Sequence, residues 1–152
     1  MKRIAQTLLT GLTATPLALS LVVTAALPPG AAPVTLSFEK CLADPNTGLF
    51  IGTVSGECGD GSVVYETLRF DASQAVWELE GWYQITTADC SFTAHCAGKA
   101  NTHNGVIVLN GEVTVDSADF AGARVQVRAQ LLIGENSLCS AGTITLTPGG
   151  TD

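Results

Sequence analysis

Residues 75–87 read Ala75-Val76-Trp77-Glu78-Leu79-Glu80-Gly81-Trp82-Tyr83-Gln84-Ile85-Thr86-Thr87, and this stretch decides the fold. Trp77, Leu79, Gly81, Tyr83 and Ile85 alternate with Glu78, Glu80, Trp82 and Gln84. That is the period of two expected of a strand with one apolar and one polar face. The same period continues outward in both directions, broken only by Gly, Asn, Asp and Pro clusters that read as turns.

Toward the C-terminus, Ala88 to Ser91 turns into a fifth strand carrying Phe92, Ala94 and Cys96, and Asn101 to Gly105 makes a polar turn. A sixth strand over about 106–116 points Ile107, Leu109, Val113 and Val115 inward. A seventh, after the 119–122 region, does the same with Val125, Val127, Ala129, Leu131 and Ile133, and an eighth over about 138–147 with Ile144 and Leu146. Toward the N-terminus, a third strand over about 62–71 sets Val64, Leu68 and Phe70 against Tyr65, Thr67 and Arg69. A second spans about 49–57 with Phe50 and Val54, and a first spans about 33–41 with Val34, Leu36 and Phe38. No helical stretch follows the leader, and every connection is too short for a crossover helix, so successive strands pair antiparallel.

The fold class is therefore all-β. Eight antiparallel strands with one apolar face each close into an up-and-down barrel or split into a β-sandwich. Glycines inside strands at 52, 81, 98, 111 and 142 favour closure, because strongly coiled strands bend at Gly. The cysteines provide a test. In a closed barrel the first and eighth strands are neighbours, Cys41 ends one and Cys139 begins the other, and both have outward parity. Closure thus predicts a Cys41–Cys139 disulfide. A second bond is expected between two of Cys58, Cys90 and Cys96, which gather at one barrel end, with a slight preference for Cys58 and one of the other two. The remaining thiol is expected to be buried and inert.

The start of the chain sets the compartment. Met1-Lys2-Arg3 precedes an uncharged apolar run closing on Thr24-Ala25-Ala26, the pattern of a secretory signal peptide over residues 1–26. Thr10, Gly11, Thr13, Thr15 and Pro16 make the run a poor membrane span. A short linker over 27–32, a barrel domain over 33–148 and a tail over 149–152 complete the domain organisation. With Lys2 and Arg3 in the leader, five basic residues face fourteen acidic ones, a mature charge of −9. That excludes nucleic-acid and anionic-membrane partners, which require basic patches. Export also makes disulfides the expected state of the cysteines.

Chemistry-bearing motifs are sparse. His95 and Cys96 are strand neighbours on opposite faces, and with His103 they supply no third ligand, so no metal site is expected. Glu78 and Glu80 have the spacing of paired glycosidase carboxylates but lie on the solvent face. Ser37-Phe38-Glu39-Lys40 matches an S-x-x-K string, yet it falls on a strand instead of opening a helix. Gly56 to Gly61 joins two strands and is a hairpin turn, not a phosphate cradle. No cofactor motif is found.

The aromatic residues carry the remaining signal. Trp77 and Tyr83 share core parity and, with Phe92 and Leu109, are the candidate lining of an interior ligand pocket, since small eight-stranded barrels hold packed side chains or one ligand. Trp82 has outward parity and is the candidate contact for a sugar or protein partner.

The pattern Gly105 to Thr114, with Cys90-Ser91-Phe92-Thr93 and Gly142-Thr143-Ile144-Thr145, resembles small uncharacterised secreted bacterial β-barrel proteins. More loosely, the architecture resembles lipocalin-like and allene-oxide-cyclase-like barrels. Three functions are expected in this order: a secreted barrel binding a small apolar ligand, an extracellular surface or matrix interaction module, and an isomerase- or cyclase-like enzyme. The enzyme ranks last because the inward positions hold almost no titratable side chain besides cysteine.

Overall fold

The computed structural model describes residues 26–149; the segment expected to be a signal peptide, apart from Ala26, and the end of the expected tail lie outside the described residues. Eight strands run β1 (Val34–Asp44), β2 (Leu49–Gly56), β3 (Gly61–Asp71), β4 (Val76–Thr87), β5 (Ser91–Asn101), β6 (Val106–Val113), β7 (Arg124–Ile133) and β8 (Leu138–Thr147). Each pairs antiparallel with its neighbours in sequence, and β1 pairs with β8, so the sheet is a closed up-and-down barrel without helices. The sandwich is excluded.

Closure follows from the sequence pattern and from the intrastrand glycines. A side-chain carbon at Gly52 would strike the β1 backbone at Glu39 and Lys40, and one at Gly142 would strike β7 at Arg128 and Ala129. Only glycine lets the coiled strands approach so closely at these positions. Cys41 and Cys139 stand opposite each other in the β1–β8 register and are disulfide-bonded across the seam. The second disulfide joins Cys58 and Cys90, and Cys96 is left as a buried free thiol.

The core fills the barrel with Leu36, Phe38, Val54, Val63, Tyr83, Ile85, Phe92, Leu109, Val127, Ile144 and Leu146, all buried. Two expectations are corrected. The sixth strand stops at Val113, and Val115 stands exposed in the β6–β7 loop, because the chain turns there to cover the barrel end. In β3 the inward residues are Val63, Tyr65 and Thr67, not Val64; Tyr65 is buried. The register slips between Thr67 and Arg69, a bulge that exchanges the two faces. Beyond it Leu68 and Phe70 turn toward the barrel mouth while Arg69 faces out to Glu78, 3.7 Å away.

Candidate functional site

The two barrel ends differ. At one, the Cys58–Cys90 bond and the 114–123 loop close the opening. Ser117 Oγ accepts from the Thr93 amide (2.9 Å), Asp119 accepts from the Ser91 amide (2.7 Å), and Phe120 stacks edge-on against Phe92 with centroids 5.7 Å apart. Phe120 holds φ at 58° to reach that position, a conformation costing roughly 1–2 kcal/mol that packing and these hydrogen bonds offset.

At the other end the barrel opens into a cup of about 370 Å³. Its wall is apolar: Leu42, Phe50, Leu79, Ile107, Leu131 and Leu138 from six strands, with Trp77 and Phe70 at the lip, where their rings meet edge-on at 5.2 Å. The β1–β2 turn forms part of the rim. Gly48, at φ 65°, lets its carbonyl accept from both the amide (3.2 Å) and the hydroxyl (2.8 Å) of Thr67.

Lys40 lies at the floor. It shares the parity of Leu36 and Phe38 on β1, so its side chain enters the barrel, where it is only 5% exposed. The inward face therefore does carry a titratable amine, which corrects the expectation of an interior nearly devoid of ionisable groups. The parity that marked Phe38 as core would have found it. Lys40 is flanked by small residues, Gly52 on β2 and Ser140 on β8, its partners in both registers. That leaves room beside the chain for its own stem.

Four rings surround the nitrogen. Lys40 Nζ is 4.2 Å from the Tyr65 centroid, 4.5 Å from Phe50, 5.4 Å from Tyr83 and 5.9 Å from Phe38. Ring quadrupoles attract an ammonium, but rings neither accept a full hydrogen bond nor supply a counter-charge. No carboxylate lines the cup. Burial alone pushes the amine down to about 7 from its ordinary value near 10.5. Two more polar atoms share this wall without a hydrogen-bond partner: the Tyr65 hydroxyl (3% exposed) and the Ser140 hydroxyl (2% exposed). Buried polar atoms are nearly always satisfied, so these two hydroxyls beside an unpaired amine set this wall apart from the rest of the barrel. Burial also raises Tyr65 and Tyr83 above the usual phenol range and pushes the Cys96 thiol up to about 12, so all three stay neutral and Cys96 is no nucleophile.

The residues singled out from sequence separate accordingly. Trp77 lines the cup. Tyr83 packs on Tyr65 beneath Lys40, with centroids 4.7 Å apart, and Phe92 and Leu109 are buried in the closed half of the barrel. Trp82 is half-buried on the outer wall, its ring 4.7 Å from that of His95. His95 Nε2 lies 2.9 Å from Glu80 Oε1, so the outward glutamates are engaged locally, Glu80 with His95 and Glu78 with Arg69. Ser37 points outward while Lys40 points inward, which separates the two ends of the S-x-x-K string. Among the described residues no three His, Cys, Asp or Glu side chains converge as metal ligands would. A larger concavity of about 830 Å³ follows the outer wall past Glu112, Val115 and Arg124. Those three side chains are exposed, so water already satisfies the charged pair; the cup alone combines enclosure with unmet polar atoms.

No family model, curated protein or solved structure matches this chain; the barrel is compatible with a lipocalin-like architecture, and the resemblance extends to that architecture only.

Proposed function

We propose that this is a secreted carrier or scavenger barrel that binds one small apolar molecule in the cup, with an acidic head group against Lys40. The observation that supports it is the unpaired amine at the floor of an otherwise apolar cavity. An isolated buried ammonium is costly, and a ligand carboxylate would supply the missing counter-charge in a setting where water competes little.

Size limits the ligand. The cup is near the lower end of small-molecule sites and, at roughly 30 Å³ per water-sized atom, takes about a dozen non-hydrogen atoms. A straight-chain acid of eight to ten carbons fits that volume. Exposed apolar residues around the same mouth, Leu68, Phe70, Val76, Val106 and Ile133, favour the approach of such a molecule. The signal peptide at 1–26 and the two disulfides fit a site of action in an oxidising extracellular or periplasmic space.

Calorimetric titration tests the reading. Octanoate is expected to bind and octylamine not to, and Lys40→Met is expected to weaken octanoate at least tenfold. Equal affinity for acid and amine, or no binding of either, overturns the proposal. The pH dependence has a definite sign. The pairing needs a carboxylate and protonated Lys40, so affinity is level from about pH 6 to 7 and falls up to tenfold per unit above about 7. Tyr65, Tyr83 and Cys96, the other ionisable groups near the amine, stay neutral throughout that window.

A further inference from the structure

We propose that Lys40 also captures carbonyl compounds, its amine condensing reversibly with an apolar aldehyde seated in the cup to give an imine and water. The proposal rests on the cup being a ligand site and adds a second class of molecule, held covalently.

The geometry carries it. An amine that faced a carboxylate would be held as an ammonium, but no acid lines the cup, and Lys40 forms no hydrogen bond or ion pair among the described residues. Its nitrogen is held among four rings at the base of an apolar funnel, so a carbonyl at the end of a short alkyl chain reaches it when the chain fills the wall. Ser140 faces Lys40 across the β1–β8 register and Tyr65 lies under the amine, each with a buried hydroxyl that lacks a partner.

The step balances without any further reactant. The nitrogen lone pair attacks the carbonyl carbon, the C=O π pair moves to oxygen, and a proton passes from nitrogen to that oxygen, giving a carbinolamine. The C–O bond then breaks, the oxygen leaves as water with a second proton, and the C=N bond forms. Neither carbon nor nitrogen changes its overall electron count by exchange with an external donor. Burial assists by lowering the amine to about 7, so a far larger share of Lys40 is unprotonated near neutral pH than of an ordinary surface lysine.

The mature chain contains a natural control, because its only other lysine, Lys99, is exposed on β5. The full mature protein is incubated at pH 7 with octanal at stoichiometric concentration and with cyanoborohydride, which reduces any imine to a stable amine, and the sites are located by peptide mass mapping. Labelling of Lys40 at least tenfold faster than Lys99, suppressed by excess octane-1-ol or octanoate, is expected. Labelling of Lys40 no faster than Lys99, or undiminished by octan-1-ol, overturns the proposal. Lys40→Arg keeps the cation and removes the nucleophile; it is expected to bind octanoate and to lose the adduct. Octanoate binding without preferential Lys40 labelling defeats carbonyl capture alone and leaves the binding reading standing. Labelling of Lys40 without octanoate binding defeats the acid head group and supports carbonyl capture.

Discussion

The closed and open ends of this barrel are built from the same eight strands and differ in what their connections do. At the open end all four connections, 45–48, 72–75, 102–105 and 134–137, are four residues long. Such turns reverse a strand and have nothing left to fold inward. At the closed end the β6–β7 connection runs ten residues, 114–123, and lays Ser117 and Phe120 over the core. Side chains from short turns cannot plug a barrel, so the interior there stays hollow and Lys40 remains without a partner. The contrast teaches that in a small barrel loop length decides whether a lumen becomes core or cavity, while the strands stay alike.

Removing the covalent seam should have the largest effect on this contrast. The Cys41–Cys139 bond, on the outer wall toward the open end, closes a separation of 98 residues, and Cys58–Cys90 at the packed end closes 32. In the chain-entropy model the first contributes about 4–5 kcal/mol and the second about 3–4 kcal/mol. Urea unfolding of the Cys41→Ser/Cys139→Ser pair should therefore show the greater loss. A greater loss from Cys58→Ser/Cys90→Ser would show that the packed end needs its staple more than the seam does.

Truncating one aromatic at each end comes next. Phe92→Ala opens a void in the filled half and should cost roughly 3–5 kcal/mol. Phe70→Ala removes a lip residue that is 53% exposed, and should cost under about 1 kcal/mol while weakening any cup ligand. Equal losses in thermal unfolding would mean that the two ends are equally packed.

Lys40→Met sharpens the comparison with a change of sign. Below about pH 7 the amine is charged in both folded and unfolded chains, and the whole cost of burying it falls on the fold. Between about 7 and 10.5 the unfolded chain still binds the proton and the fold does not, so wild-type stability rises with pH across that window. The methionine variant should therefore be more stable than the wild type by a few kcal/mol at pH 6. That gain should shrink toward zero by pH 10.5. A variant less stable at pH 6 would show that the rings hold the ammonium more tightly than burial expels it. The smallest effect is expected from Trp82→Ala on the outer wall, within about 1 kcal/mol and without influence on cup ligands. Loss of ligand binding in that variant would move the site to the outer wall.

Much of the barrel was legible in local periodicity, and particular residues show where that stops. Trp77 to Ile85 shows its inward face by alternation alone, and β4 keeps it for twelve residues. In β3 the same reading puts Val64 inward, and the bulge after Thr67 reverses it, sending Tyr65 to the cup floor. A bulge depends on how a strand must bend against its neighbours, which no window of β3 records. Lys40 was legible by parity yet masked by its chemistry, because a lysine beside Glu39 and Cys41 reads as a solvent-facing residue.

The sequence by itself determined the eight strands and their antiparallel order, because each follows from a period of two and from short connections; it favoured closure over a sandwich and made the Cys41–Cys139 pair the test that the structure answered. Only the tertiary structure decided that Cys58 takes Cys90 and leaves Cys96 buried, that Tyr65 turns inward, and that one half of the lumen is filled while the other surrounds an unpaired amine. Those outcomes depend on distances across the barrel and on how far each loop reaches, quantities set by strand coiling in three dimensions and absent from any local pattern.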